Sequence, residues 1–548
     1  MSDDRKAIGL LTLLVLLTTL PFLKRAYFVD DFYFVTIARG ILQHPLRPYD
    51  FRSDDAGIQT IGWERGQRPR MVNPLLFHYY LAGVMKLFGD ASWKLRASTI
   101  LFSLVSVWSM YFLGKRFVPH PLAAASLLAI TPAYWLTSYS LLIDSGLIAF
   151  FLLSLLVFFH GLDRRRVGWI FLAGVLMGLT MLVKYVGALV VVLALLWQVM
   201  DKSRRSWWPG YLAYAKAAGV MLTWGIWNIV TYGQMHFLAA LPRGMAAPSL
   251  IGWAQKSVVL GSFIGGSVFF VLACLPLLWR VSRGWLTGLL LIAAGLIGLF
   301  SSRVGGFTFS QSAMLALFIS GTAAFLIVMG RTLRTFEDRN HLFLVFWILI
   351  GMIELVVVMP WTAGRYLLII LPPICWAFQL IVESYGGRRL WQSAWVATAL
   401  MGLSLAYADY AQANTIKQLA HVLAGKSAEL EKLSDHRRHH WYYLADTFDG
   451  SQPYLMPLGW ENVFPFQTFQ PGDLFLKSHY RKSSWWKMDH PERFKLIFVD
   501  SVDSVLPLRV MDVPASAGFY ASCWGALPFA VTNHPLERFE LYQVVKVK

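Results

Sequence analysis

The chain has 548 residues and carries 49 Lys and Arg against 31 Asp and Glu, a net charge of +18. Charged residues make up 15% of the chain, against about 25% in soluble domains, and hydrophobic residues make up 56%. This composition excludes an ordinary soluble enzyme, a disordered chain and a coiled coil. We predict a polytopic α-helical membrane protein with a small soluble appendage.

Cysteine usage and charge distribution narrow the class further. The three cysteines, Cys274, Cys375 and Cys523, exclude a disulfide scaffold and have no zinc-ligand spacing. Most basic residues lie in short loops between apolar runs, where they set orientation in a membrane. We therefore expect no nucleic-acid partner.

Apolar runs of membrane length recur along the first three quarters of the chain. A hydrocarbon core about 30 Å thick needs about 20 helical residues per span, and the first such run is Ala7 to Leu23. Stretch 167–200 is predicted as two short spans joined near Lys184. In all we predict 13 spans, the other twelve at 95–114, 119–139, 144–161, 167–183, 186–200, 209–231, 257–279, 285–302, 310–330, 341–359, 365–384 and 391–407.

Basic residues follow every even-numbered predicted span. The positive-inside rule therefore places the N-terminus in the cytoplasm and everything after residue 407 outside. Residues 1–407 form the predicted membrane domain, and its first outer loop, 24–94, holds an apolar stretch after Asn73-Pro74 that suits an interfacial helix. Residues 408–548 are predicted as an outer α+β domain, with a helix near 408–433 and strands after about 454.

Acidic residues at the predicted outer surface are the first candidates for chemistry. Asp30 and Asp31 follow the first span among aromatic residues. Apolar rings raise a carboxyl pKa, so one of the two could accept a proton from an acceptor hydroxyl. The other could bind a metal ion or a sugar hydroxyl. The alternative is a solvated acidic pair. Asp144, on the same predicted side, is either functional or merely interfacial.

Cations at span ends are the second set of candidates. Lys184 and Arg365 lie on the predicted outer side, where each could bind a lipid phosphate or simply anchor its helix in the interface. The histidine-rich tract at 436–440 could bind metal, although a solvated loop is favoured. Further arginines in the first outer loop indicate an anionic partner: Arg39, Arg47, Arg52, Arg65, Arg68 and Arg70.

Several short motifs, in their order, resemble the GT-C class of membrane glycosyltransferases, in the branch of protein O-mannosyltransferases and bacterial lipid A aminoarabinose transferases (glycosyltransferase family 39/83-like). The resemblance covers nearly the whole chain. The matching elements are Asp30-Asp31 with Tyr33 and Ala38-Arg39, Asn73-Pro74-Leu75-Leu76, Leu87-Phe88-Gly89, Arg96, Asp144, the Gly-Leu-Thr to Lys-Tyr pattern at 178–185, Trp227-Asn228, Tyr232-Gly233, Arg365-Tyr366-Leu367, Leu371-Pro372 and Asp409-Tyr410.

The resemblance implies an inverting transfer of a sugar from a polyprenyl phosphate to a hydroxyl of an envelope glycolipid such as lipopolysaccharide, a polysaccharide or a protein. The implied setting is the periplasmic side of a bacterial inner membrane. Asp30 would be the base and Asp31 a second catalytic acid. Lys184, Arg365 and Arg96 would bind the donor phosphate. Asp144 and Tyr33 would orient the acceptor, and Asp31 and Asp144 would hold a divalent metal ion if one is used.

Two other readings remain open at this point. A transporter or flippase of lipid-linked sugars would use the same outer cations without a base. A non-catalytic assembly protein would use its outer domain to bind partners.

Overall fold

The computed structural model describes residues 2–50, 73–238, 250–281, 284, 288, 307–333, 338–434, 440–444, 450–463, 468–479 and 490–546. Helices dominate up to residue 434, and a mixed β-sheet follows. The helices are α1 (Ser2–Thr19), α2 (Asp31–Gln43), α3 (Leu76–Phe88), α4 (Ser92–Phe117), α5 (Pro121–Ile130), α6 (Pro132–Ser138), α7 (Ile143–Arg164), α8 (Val167–Val183), α9 (Leu189–Val199), α10 (Lys202–Arg205), α11 (Leu212–Tyr232), α12 (Leu250–Ser267), α13 (Leu275–Val281), α14 (Phe309–Thr332), α15 (Arg339–Val357), α16 (Leu371–Ile381), α17 (Gly387–Gly425), α18 (Ser427–Leu433) and α19 (Gln452–Leu455).

Within the described residues, five helices are long and apolar enough to cross a membrane: Asp3–Phe22, α4, α7, α14 and α15. A sixth crossing results if Ile251–Ser267 and Phe269–Val281, bent by 93°, form one broken span. The prediction of a helical membrane protein therefore holds at the level of class, whereas the count of 13 spans is not confirmed. The predicted span at 285–302 lies almost wholly outside the described residues.

Helix breaks explain part of the difference between the predicted and the observed spans. The predicted span at 119–139 divides into α5 and α6 at Thr131 and Pro132, because proline has no N–H to continue a helix. The predicted span at 365–384 starts with the 3-10 segment Gly364–Ile369 and becomes α-helical only in α16. Stretch 167–200 consists, as predicted, of two short helices, with Lys184 extended between them.

In its described residues, the first predicted outer loop contains two helices of 13 residues each, α2 and α3. The apolar stretch after Pro74 forms α3, which ends at Gly89 with a φ of 85°, a conformation that glycine adopts readily. Helix α2 packs against α3 and is not predicted from the sequence. Its start, immediately after Asp30, positions the candidate site.

The last long helix, α17, has 39 residues and passes without a break through the predicted domain boundary at 407. Beyond it lies a five-stranded sheet in the order β2-β1-β3-β9-β4, in which β1 runs parallel to β2 and β3 while β9 runs antiparallel to β3 and β4. The strands are β1 (Trp441–Tyr443), β2 (Trp460–Asn462), β3 (Leu474–Ser478), β4 (Phe494–Val502), β5 (Leu508–Arg509), β6 (Met511–Asp512), β7 (Ala517–Gly518), β8 (Ala530–Val531) and β9 (Glu537–Val544).

Candidate active site

The candidate active site begins at the N-terminus of α2. Asp30 precedes this helix, at a position where an Asp side chain commonly accepts hydrogen bonds from the first backbone N–H groups. Its carboxylate makes no such capping bond. Val29, directly before it, is buried and has a φ of 53°, a left-handed conformation that costs a β-branched residue about 1–3 kcal/mol. Surrounding contacts therefore hold Asp30 on a strained turn.

Four buried charged side chains form what we call the Asp30 cluster: Asp30, Asp144, Lys184 and Arg365. Nη2 of Arg365 lies 2.8 Å from Oδ2 of Asp30, and its Nε lies 3.7 Å from Oδ2 of Asp144. Nζ of Lys184 donates to Oδ1 of Asp144 at 2.8 Å. The four residues are between 2% and 8% exposed. Two acids and two cations thus compensate one another out of water.

Interruptions of helices bring these side chains together. Asp144 lies in the first turn of α7, Lys184 lies at the break between α8 and the 3-10 turn that leads into α9, and Arg365 lies in the 3-10 segment before α16. Pro372 occupies the first turn of α16, where a missing N–H is tolerated. Each charged group therefore sits at a helix end.

The Asp30 cluster contains a hydrogen-bond donor that is not used within the described residues. Nη1 of Arg365 is buried and has no hydrogen-bond partner within the described part of the chain. Nζ of Lys184 lies 4.2 Å from the centroid of the Tyr366 ring, and Cζ of Arg365 lies 5.3 Å from it, so one aromatic ring attracts both cations. An Arg and a Lys held next to a carboxylate can bind a phosphate while the carboxylate accepts a proton.

Different surroundings separate the two adjacent acids. Burial raises the pKa of Asp30 above its usual value, against the opposing effect of Arg365, and nearby Asp144 adds to the rise. Burial also acts to raise the pKa of Asp31, but Arg96 and Arg25 outweigh it and hold that pKa below its usual value. Asp30 is therefore the better base, and Asp31 stays ionised.

Asp31 belongs to a second buried group, which we call the Asp31 network: Arg25, Asp31, Arg96 and Asp409. Oδ2 of Asp31 accepts from Nη1 of Arg25 at 2.8 Å and from Nη2 of Arg96 at 2.7 Å. Oδ1 accepts from the backbone N–H of Leu141 at 2.9 Å. All four members are 0% exposed. The carboxylate of Asp31 is thus committed to contacts within the protein.

Asp409, on α17, anchors this network from the C-terminal side. Its Oδ2 lies 2.7 Å from Nε of Arg25 and accepts from the Tyr139 hydroxyl at 2.8 Å. Its Oδ1 accepts from the Tyr520 hydroxyl at 2.7 Å. The network therefore joins the Asp30 loop, α4, α17 and the C-terminal region through buried charges.

The sequence predicts every member of the Asp30 cluster, but the structure does not bring all predicted site residues there. Arg96, expected to bind the donor phosphate, pairs with Asp31. Asp31, expected to be a second catalytic acid, has no exposed side-chain surface. Tyr33, expected to orient the acceptor, is partly buried on α2 with its ring 5.7 Å from that of Phe34.

Sequence reasoning misses Arg25 and the two tyrosines, Tyr139 and Tyr520, that contact the Asp31 network through Asp409. Arg25 had a usable signal, since it follows the first span on the side where the positive-inside rule expects few cations. Tyr139 and Tyr520 had none. Of the other predicted features, Arg52, Arg65, Arg68, Arg70 and positions 436–439 lie outside the described residues.

The residues suggested for a divalent metal ion do not fit that role. Asp31 already accepts hydrogen bonds from Arg25, Arg96 and two backbone N–H groups, and Asp144 pairs with Lys184. A hard divalent cation needs several free oxygen ligands. In the part of the chain that is described, no three His, Cys, Asp or Glu side chains come together as a metal site.

Comparison with known proteins gives one match to a family model and several distant structural matches. Residues 72–227 match the family described as dolichyl-phosphate-mannose-protein mannosyltransferase. No curated protein matches the chain in sequence. The matched segment contains Arg96, Asp144 and Lys184, and excludes Asp30 and Arg365.

Two solved structures illustrate the structural likeness. ArnT from Cupriavidus metallidurans bound to undecaprenyl phosphate has 13% sequence identity and a TM-score of 0.41, over 86% of this chain and 92% of that chain. The oligosaccharyltransferase AglB from Archaeoglobus fulgidus, in complex with an inhibitory peptide and a dolichol-phosphate, has 12% identity and a TM-score of 0.48, over 90% of this chain and 73% of that chain. Likenesses this distant assign no residue a role. Over residues 72–227, the family-model match confirms the predicted resemblance to the protein mannosyltransferase branch of the GT-C class membrane glycosyltransferases.

Proposed function

We propose that this protein is an inverting glycosyltransferase that moves a sugar from a polyprenyl-phosphate donor to a hydroxyl of an envelope acceptor. The observation that carries the proposal is the buried ion pair of Asp30 with Arg365, 2.8 Å apart, next to Lys184 and Asp144. It places a base and two cations at one point. A transfer from a lipid phosphate needs both, because a proton must be accepted while an anion departs.

In the proposed reaction, the acceptor hydroxyl oxygen attacks the anomeric carbon of the donor sugar. A bond forms between that oxygen and that carbon, and the bond from the carbon to the phosphate oxygen breaks. The hydroxyl proton goes to Asp30, and the bonding electron pair leaves with the polyprenyl phosphate. Arg365 and Lys184 stabilise the charge that develops on the departing oxygen.

The pairing of Asp30 with Arg365 supports a switch of partners on donor binding. Donor phosphate brings an anion to the guanidinium, whose Nη1 is free of protein hydrogen bonds in the described region. As Arg365 turns to the phosphate, its hold on Asp30 weakens, and the carboxylate becomes a stronger base. Asp144, paired with Lys184 and close to Arg365, orients both cations.

Asp31 and Arg96 have a positioning role in this proposal. Their ion pair at 2.7 Å is fully buried, so we propose that they fix the start of α2 and thereby the direction of the Asp30 carboxylate. Tyr33, one turn further along α2 and partly exposed, remains our candidate for contact with the acceptor.

We also propose the membrane arrangement that the sequence predicts: 13 spans, a cytoplasmic N-terminus, and the Asp30 cluster and residues 408–548 on the periplasmic side of a bacterial inner membrane. Its support is the regular recurrence of Arg and Lys after every second span. The acceptor is an envelope glycolipid, polysaccharide or protein, and the basic first loop favours an anionic acceptor such as a phosphorylated glycolipid. Unchanged mass spectra of envelope glycolipids in a deletion strain would contradict that preference.

The test is release of free lipid phosphate by the purified protein. A panel of polyprenyl-phosphate sugars is offered with a crude envelope acceptor, with and without a chelator. Wild type is compared with Asp30→Asn and with Asp90→Asn, the control. Asp90 undergoes the same chemical change, but its side chain is 61% exposed and pairs with Arg39 at the surface.

We expect release by wild type and Asp90→Asn, and a loss of at least 100-fold in Asp30→Asn with donor binding retained, since general-base catalysis contributes about 10²–10⁴-fold. Undiminished release by Asp30→Asn would remove Asp30 as the base. If no donor is cleaved, and liposomes containing the protein flip the lipid-linked sugar, a transporter is favoured instead.

A further inference from the structure

A short C-terminal segment, residues 519–522, contacts residues next to Asp30 on one side and residues next to Arg365 on the other. We call it the bridge segment. It lies more than 100 positions beyond Asp409 along the chain and follows β7, outside the five-stranded sheet. Phe519 is 0% and Tyr520 is 1% exposed, so the segment is packed into the protein.

Toward the Asp30 loop, the bridge segment acts through Tyr520. Its hydroxyl accepts from Nη2 of Arg25 at 3.0 Å and donates to Asp409 at 2.7 Å. Its ring meets that of Phe28 edge-on at 5.8 Å. Arg25 in turn pairs with Asp31, the neighbour of Asp30. The Tyr520 hydroxyl therefore belongs to a series of contacts, through Arg25 and Asp31, that holds the loop carrying Asp30.

On the Arg365 side, the bridge segment forms hydrogen bonds with the backbone that leads into Arg365. The N–H of Gly364 donates to the carbonyl of Phe519 at 2.8 Å. The N–H of Ser522 donates to the carbonyl of Thr362 at 2.8 Å, and the N–H of Thr362 donates to the Ser522 hydroxyl at 3.0 Å. A Cβ on Gly364 would come within 2.6 Å of the Phe519 ring, so the two strands of chain are in close contact.

Other C-terminal groups secure the same strained turn. The N–H of Tyr27 donates to the Tyr454 hydroxyl at 3.0 Å, and the N–H of Ala26 donates to the Asn414 side chain at 3.1 Å. Gly450 approaches so closely that a Cβ there would come within 2.4 Å of the Tyr27 carbonyl oxygen. Since Val29 is held at a positive φ, such contacts must offset its strain.

We propose that the bridge segment is a positioning element of the active site, which sets the spacing between Asp30 and Arg365 by holding the loops that carry them. This inference rests on the proposed function and adds a role for the C-terminal region. Tyr520 holds the acid side, and Phe519 with Ser522 holds the cation side. Tyr520 acts through Arg25 and Asp409, and Ser522 acts through Thr362, so we assign both a positioning role.

The experiment uses the full chain in lipid nanodiscs and the variants Tyr520→Phe and Ser522→Ala. Tyr542→Phe is the matched control, because it removes a hydroxyl that bonds to Glu540 on the sheet. Two readouts are taken: amide hydrogen exchange in peptides covering 24–31 and 360–366, and the pH dependence of kcat/KM for lipid-phosphate release.

In Tyr520→Phe we expect exchange in peptide 24–31 to rise about tenfold, kcat to fall about tenfold, and donor KM to change less than about twofold. A hydrogen bond to a charged group contributes enough for a change of this size. In Ser522→Ala we expect faster exchange in peptide 360–366 and a donor KM several-fold higher. Tyr542→Phe should match wild type in both readouts.

The pH profile separates positioning from loss of folded protein. Among the described residues, the charged groups that face Asp30 are Arg365, Asp144 and Lys184. If Tyr520→Phe loosens the Asp30–Arg365 pair, the acid limb of kcat/KM moves to higher pH, because Arg365 lowers the pKa of Asp30 more strongly than Lys184 does. A smaller amount of folded enzyme would reduce the amplitude without moving the midpoint.

Unchanged exchange in both peptides, or changes of the same size in Tyr542→Phe, would overturn the inference. A Tyr520→Phe enzyme with wild-type kcat and pH midpoint would overturn it as well. If wild type cleaves no donor, the proposed function fails, and exchange still decides whether the bridge segment holds the two loops. If Tyr520→Phe does not fold, Ser522→Ala provides the same decision for the Arg365 side.

Discussion

Replacing Lys184 with Met tests whether this cation serves the departing phosphate or only neutralises Asp144. The substitution keeps much of the side-chain volume and removes the ammonium group. Nζ of Lys184 lies 2.8 Å from Asp144, which is 2% exposed, so the variant leaves a buried carboxylate with one remaining cation, Nε of Arg365 at 3.7 Å. Breaking a buried pair costs about 3–5 kcal/mol, and we expect about 3 kcal/mol because Arg365 remains.

The double variant Lys184→Met/Asp144→Asn separates the two roles. Removing both charges takes away the uncompensated carboxylate, so thermal stability should return to near the wild-type value. Turnover should not return. A lost transition-state donor typically lowers kcat by about 10²–10³-fold, or about 2.7–4 kcal/mol, and this loss persists if Lys184 stabilises the leaving phosphate.

The assay is lipid-phosphate release under single-turnover conditions, beside thermal unfolding of each variant in the same detergent. The single variant should lose both stability and turnover, and the double variant should lose turnover alone. A double variant that recovers turnover together with stability would refute the reasoning and leave Lys184 as a structural partner of Asp144. Asp144→Asn alone completes the double-mutant cycle.

Two further predictions follow from the acids of the first loop. Burial raises the pKa of Asp30, and the base must be ionised, so kcat/KM should fall as pH decreases through a midpoint above about 3.9, the usual value for Asp. A pH profile of lipid-phosphate release checks this. An acid limb that persists unchanged in an active Asp30→Asn enzyme would assign the titration to another group. Asp31→Asn should lower stability by about 3–5 kcal/mol, because Arg25 and Arg96 would keep two buried charges without their shared carboxylate, whereas Asp90→Asn at the surface should change it by less than about 1 kcal/mol. Unfolding midpoints of the two variants decide this, and equal midpoints would contradict it.

Much of the Asp30 cluster could be predicted from the sequence because its members break local patterns. Lys184 interrupts a long apolar stretch, and Asp144 and Arg365 open apolar runs, so each is conspicuous by its charge. The positive-inside rule then predicts that all three lie on one side of the membrane. Their pairing can be expected without detailed geometry, because buried charges are normally paired with charges of opposite sign.

The partners of Asp31 could not be predicted in the same way. Arg25 and Arg96 appear in the sequence as two more basic residues near span ends, and nothing local distinguishes a cation that binds substrate from one that neutralises an acid. The contacts that decide the matter join residues far apart along the chain, such as Arg25 with Asp409 and Tyr520. The helix breaks at Thr131–Pro132 and before α16 also escape the hydropathy pattern, because apolar residues continue across them.

The unbroken helix α17 fixes the distance between its first residue and Asp409. Asp409 lies 22 residues after Gly387, the first residue of the helix, which at about 1.5 Å per residue is about 33 Å along the axis. A hydrocarbon core is about 30 Å thick. In the proposed arrangement, in which 391–407 crosses the membrane, an upright α17 would therefore carry Asp409, and with it the anchor for Arg25, just past the edge of the lipid. In that arrangement, α17 links the membrane to the buried network that holds Arg25 and Asp31.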